Sequence, residues 1–155
     1  MGRQHHYQFA HRWLPATPPE IWRGLLNEAR SGDADEFLLR MWYRVGLTLP
    51  GDDRIDPVGL SATAHTLADA DVLLITMPAP ESVPEAYFSA VILRDGEDPR
   101  YMTLELGFDP VEQVPYTVGG EWTADSTHLN LGPGPEPTPG DFLAWLEPRV
   151  ARRSS

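Results

Sequence analysis

The sequence predicts an α+β domain with an N-terminal strand, an αα-hairpin, an antiparallel sheet of about five to seven strands and a C-terminal helix. Three observations predict it. Apolar residues recur at helical spacing as far as Gly46 and alternate at strand spacing from Leu60 onward. The alternating segments follow one another through short, turn-rich connections, which antiparallel pairing allows and parallel pairing does not. A Thr-Pro pair precedes an apolar stripe at Thr17-Pro18 and again at Thr138-Pro139, which marks a helix start.

The elements follow in order. In residues 5–14, Tyr7, Phe9, His11 and Trp13 fall on one face, as in a first strand. Thr17 is then placed to cap a helix, Pro18 to begin it and Glu20 to complete a capping box. Ile21, Trp22, Leu25, Leu26 and Ala29 form its apolar stripe, and Ser31-Gly32 ends it. Asp33 and Glu36 repeat the capping pattern before a second stripe of Phe37, Leu38, Met41, Trp42 and Val45. The short break between the two stripes predicts the αα-hairpin. Residues 50–57 form a loop. Leu60–Thr66 and Val72–Met77 are expected strands around a turn at 67–71. Ala86–Leu93 and Tyr101–Phe108 are joined through Arg94–Arg100, which contains the turn signal Asp95-Gly96. Tyr116–Trp122 and Thr127–Leu131 pair around Ala124–Ser126. Thr138-Pro139-Gly140-Asp141 opens the last helix, whose Phe142, Trp145 and Leu146 face the core. Pro148 is expected to end or kink that helix, and the tail from about residue 150 to fray.

Composition limits function. At 155 residues the chain is expected to be one domain, 1–155, with an ordinary core. There is no cysteine, which excludes disulfides, thiolate nucleophiles, cysteine zinc sites and iron–sulfur clusters. All 12 basic residues are Arg, so lysine Schiff-base and P-loop lysine chemistry are excluded too. A net charge of −11 argues against nucleic acid and membrane surfaces and toward a basic protein partner. No apolar run is long enough to span a bilayer, and residues 1–7 lack a secretory apolar core. A cytoplasmic location is expected. The Lys-free, Ala/Pro/Arg/Asp-rich composition suggests a bacterial source with a GC-rich genome.

The alternation also assigns faces. Met102, Leu104, Leu106 and Phe108 share one side of their strand, with Tyr101, Thr103, Glu105 and Gly107 on the other. Tyr116, Val118, Gly120 and Trp122 oppose Thr117, Gly119 and Glu121. Val72–Met77 and Ala86–Leu93 are apolar on both sides, as central strands would be. The mixture predicts a sheet only partly covered on its second face. If their strands are neighbours, Glu105, Glu121 and His128 converge there with Thr103, Thr117 and Asn130. Two carboxylates and an imidazole would suit acid–base work or a divalent ion, although a solvated sheet face gives the same pattern. The candidate binding residues are Glu105, Glu121, His128, Asn130 and Trp13, the last as an exposed anchor at a strand end.

Other motifs point to structure. Asp125-Ser126-Thr127-His128 suits a turn better than a relay, because a triad needs its members set around a positioned nucleophile. His5, His6 and His11 lack a second pair at metal-ligand spacing, and Asp52, Asp53 and Asp56 lack the EF-hand pattern. Gly119-Gly120 inside a strand marks a bulge or the close approach of another backbone, which suits a binding edge at Gly119–Trp122 or, more simply, a bulge packed against a helix. No catalytic residue, metal or cofactor is assigned.

The order of strand, helices, antiparallel strands and terminal helix resembles that of the MOG1/PsbP-like sandwich, a fold used by small binding and chaperone-like proteins. The segment from Glu121-Trp122-Thr123-Ala124-Asp125 to Leu129-Asn130 resembles a hairpin of a small bacterial family of unknown function. The expected function is non-enzymatic protein–protein interaction, as an adaptor, a chaperone-like binder or an acidic immunity-type inhibitor. The alternatives are a small hydrolase or metal-dependent enzyme using Glu105, Glu121 and His128, and a small-ligand module with its pocket between sheet and αα-hairpin.

Overall fold

The computed structural model describes residues 14, 17–32, 61–77, 86–109, 111–112, 114–123, 126–134 and 138–151. They form helix α1 (Pro19–Ser31), strands β1 (Ser61–Leu67), β2 (Ala70–Met77), β3 (Ala86–Leu93), β4 (Arg100–Asp109), β5 (Val114–Thr123) and β6 (Ser126–Pro133), and helix α2 (Pro139–Ala151). The strands make one six-stranded antiparallel sheet in chain order, each bonded to the next. The expected first strand and the second helix of the αα-hairpin lie outside the described residues, as does Trp42.

Local chemistry explains the element ends. Pro18 stays extended before Pro19, with φ −59° and ψ 142°, so the cap moves one residue past Thr17. The expected capping box does not form, because no side chain caps α1. Gly32 closes the helix in the left-handed region, at φ 89°, and its N–H bonds Ala29 O. At α2, Thr138 Oγ1 accepts from the Asp141 N–H at 3.2 Å and donates to Asp141 Oδ2 at 2.7 Å. The β1–β2 turn is only two residues long. Ala68 (φ 48°) and Asp69 (φ 67°) both take positive φ, as a type I′ turn requires.

Pro148 does not end α2, which runs on to Ala151. Pro148 and Ala144 share the exposed side, so the carbonyl left without its donor faces solvent. Two turns of core-facing residues hold the helix down: Leu146 and Val150 are fully buried. The tail expected to fray lies, from Arg152 on, outside the described residues.

Among the described side chains, β2, β3 and Tyr101–Leu104 of β4 are buried on both faces, as expected for β2 and β3 and against the polar face expected for β4. Ala70, Val72, Leu74, Phe88, Ala90, Ile92, Met102 and Leu104 pack beneath Phe142, Leu146 and Val150 of α2. The alternate residues of the same strands point to the other side. There Leu73, Ile75, Val91, Leu93, Tyr101 and Thr103 are buried, and α1 lies along β1 and β2 with Trp22, Leu25 and Leu26 inward.

Candidate functional site

The register decides which candidate residues meet. Met102 pairs with Glu121, Leu104 with Gly119, and Thr103 with Gly120. The polar positions of β5 therefore line up with the apolar positions of β4, the reverse of what convergence needs. Glu105 pairs with Val118, so its position and that of Glu121 belong to opposite faces. Asn130 pairs with Gly120 and falls on the face opposite Glu121. His128 stands in β6 beside Leu129, the partner of Glu121. Trp13 lies outside the described residues.

Glu121 is held in a structural ion pair. Arg100 donates from Nε to Oε2 at 2.9 Å and from Nη2 to Oε1 at 3.2 Å. The two side chains are only 12% and 17% exposed, Arg100 and Glu121 respectively. A bidentate guanidinium engages both carboxylate oxygens, so Glu121 is committed to the fold rather than offered to a metal or substrate. Arg100 Nη1 also reaches Arg149 O at 3.4 Å.

Arg94 acts at the same helix end. Its Nη2 donates to Val150 O at 3.1 Å and to Ala68 O at 3.0 Å. The last carbonyls of a helix have no intrahelical donor, and that end carries partial negative charge. Two guanidinium groups from the β3–β4 hairpin serve those carbonyls. Arg94 also ties down the positive-φ turn through Ala68. One turn back, Trp145 packs on Gly119, where a Cβ would fall 2.2 Å from Cζ2. The Arg149 guanidinium lies over the indole, 4.1 Å from the ring centroid. The glycine pair is thus a bulge that seats a helix, and the register shift between Gly119 and Gly120 agrees.

The face under α1 buries polar groups. Ser89 and Thr103 are cross-strand partners, both fully buried. Trp122 Nε1 donates to Thr103 Oγ1 at 3.2 Å. Ser89 Oγ is buried with no hydrogen-bond partner. Burial pushes the Tyr101 phenol above its ordinary value, and the Asp98 charge adds to this. The nearby Trp22 indole opposes the shift, although its N–H makes no hydrogen bond of good geometry.

Among the described residues, no group of three or more His, Asp or Glu could hold a metal ion. No described helix is long and apolar enough to cross a membrane. No protein family, curated protein or solved structure matches the chain.

Sequence reasoning missed Arg94 and Arg100, which it placed in a loop. Their signal was present: in a chain without Lys, two arginines bracket a hairpin loop at the ends of two apolar strands. What they hold could not be read, because α2 lies some fifty residues further on, at Arg149 and Val150.

Proposed function

We propose that this domain is a non-enzymatic protein-binding module for a basic partner. One observation carries the reading: every arginine among the described residues is engaged within the fold. Arg23 meets Asp95 and Arg94 O; Arg30 meets Asp71; Arg100 meets Glu121. Arg94 serves carbonyls, and Arg149 stacks on Trp145. Five guanidinium groups stand against thirteen carboxylates in these residues. Glu20, Asp69, Asp98 and Glu147 are exposed and make no ion pair among them. The charge left over for a partner is therefore negative, which steers a cationic protein and repels an anionic one.

The test is recovery of a partner from the source organism, followed by binding of the two purified proteins. Raising salt from about 50 mM to about 500 mM shortens the screening length severalfold and should slow association at least tenfold. Association insensitive to salt, or an acidic partner, would overturn the reading.

The orphan Ser89 Oγ favours a second reading, a small polar ligand under α1. A ligand specific for the folded state would raise the melting temperature with its concentration, and Ser89→Ala would abolish that rise.

A further inference from the structure

The two edges of the sheet are guarded differently. β6 pairs irregularly with β5, with register shifts at Gly119/Gly120 and at Glu121/Thr123, and it ends on Pro133, which has no N–H to offer. β1 keeps an unbroken register with β2 over all seven residues, Ser61 to Leu67. Its sequence, Ser-Ala-Thr-Ala-His-Thr-Leu, contains no proline, glycine, carboxylate or arginine. Burial lowers the His65 pKa below its ordinary value, and His65 Nε2 is hydrogen-bonded to Thr63 Oγ1 at 2.8 Å, so β1 is uncharged at neutral pH. Natural sheets blunt their edges with charge, proline or bulges, and β1 carries none of these.

The turn fixes which backbone groups face outward. A two-residue turn makes its flanking pair, Leu67 and Ala70, a mutually hydrogen-bonded one. By alternation His65, Thr63 and Ser61 bond to β2. The N–H and C=O groups of Ala62, Ala64 and Thr66 point away from the sheet, and among the described residues no strand takes them up. The side chains along this edge are small, and Thr63 and Thr66 are exposed.

We propose that an extended segment of a basic partner protein adds to the outer edge of β1 as a further antiparallel or parallel strand. The inference rests on the protein-binding reading above and assigns it a surface. Backbone bonds to Ala62, Ala64 and Thr66 supply the affinity. Charge selects the occupant: two copies of this chain would each bring −11 to the contact, whereas a cationic strand is attracted to it. The exposed Asp69, two residues beyond Leu67, places one carboxylate at the end of the edge.

The probe is a synthetic peptide of alternating arginine and valine, with an alternating glutamate and valine peptide as its counterpart. The arginine peptide should bind, and should slow amide hydrogen exchange at Ala62, Ala64 and Thr66 at least tenfold while leaving the inward-bonded Thr63 and His65 unchanged. Ala64→Pro removes one outward N–H without removing a β1–β2 bond, and should weaken the peptide about tenfold. The exchange measurement on the unaltered chain stands even if that variant folds poorly. Protection elsewhere, or equal binding by a folded Ala64→Pro chain, overturns the edge while the basic-partner reading survives. Equal binding of the glutamate peptide, or no binding of either, overturns both. A dimer paired through β1 in the absence of peptide would make the occupant a second copy and overturn the proposal.

Discussion

The two faces of the sheet are buried by different means. Under α2 the packing is apolar: Phe142, Leu146 and Val150 close over side chains that carry no polar atom except the sulfur of Met102. Polar contacts on that side stand at the rim, where Arg94 and Arg100 meet the helix end. Under α1 the interior includes two hydroxyls, a phenol and two indoles, from Ser89, Thr103, Tyr101, Trp22 and Trp122. Apolar packing needs only volume and shape, so the layer beneath Phe142, Leu146 and Val150 tolerates no cavity, while the Trp145 indole beside it keeps a buried N–H without a partner. A buried polar group must also find a partner. Thr103 has found one and Ser89 has not. Each side keeps unpartnered buried atoms, Ser89 Oγ and Trp22 Nε1 under α1 and Trp145 Nε1 and Arg94 Nη1 by α2, so the contrast lies in the buried hydroxyls of Ser89 and Thr103 under α1.

That contrast can be broken from either side. The largest effect should come from Phe142→Ala, which opens a cavity in the apolar layer where Phe88 and Trp145 stack on Phe142 at centroid distances of 5.9 and 5.8 Å. It should cost about 3–5 kcal/mol in denaturant unfolding. Thr103→Val keeps the volume but takes away the acceptor of the Trp122 N–H, and should cost about 1–2 kcal/mol. Ser89→Ala should go the other way and stabilise by up to about 1 kcal/mol, because it removes a buried hydroxyl that has no partner. If Ser89→Ala destabilises as much as Thr103→Val, the two hydroxyls are equally satisfied and the contrast fails.

The smallest effect appears only in alkali. The Tyr101 pKa is raised in the fold, so the unfolded chain loses this proton first. The contribution is fully present below the ordinary phenol value of about 10 and is lost as pH rises toward the folded value. Tyr101→Phe should flatten this alkaline arm of a stability–pH curve and leave neutral stability nearly unchanged. An unchanged arm would show that Tyr101 is not its source.

Much of the fold was legible in short stretches of chain. Ala86–Leu93 was readable residue for residue, because it is apolar on both faces and bounded by breakers. Gly32 and the Thr138–Asp141 pair marked helix ends through chemistry confined to a few residues. Asp95-Gly96 marked the β3–β4 turn, where Gly96 has φ 79°. The candidate site was far less legible. In β2 to β5 the alternation agrees with the register, but the alignment of neighbouring strands could not be read, and β6 breaks its alternation at two register shifts. A shift of one residue moves Glu121 from the face of Glu105 to the other.

The sequence by itself determined the strands from Ser61 onward, the two described helices, the absence of thiol and lysine chemistry and the surplus of negative charge. Each depends on composition, or on spacing within a few residues, where local sterics and hydrogen bonding act. Only the tertiary structure decided that β4 is buried on both faces at Tyr101–Leu104, that Trp145 needs Gly119, and that Arg94 and Arg100 close the end of α2. It also decided that Glu121 belongs to Arg100 and that, among the described residues, β1 is the sheet edge without charge, proline or bulge. These outcomes depend on register and on contacts between distant segments, and burial of a whole face fixes them together rather than residue by residue.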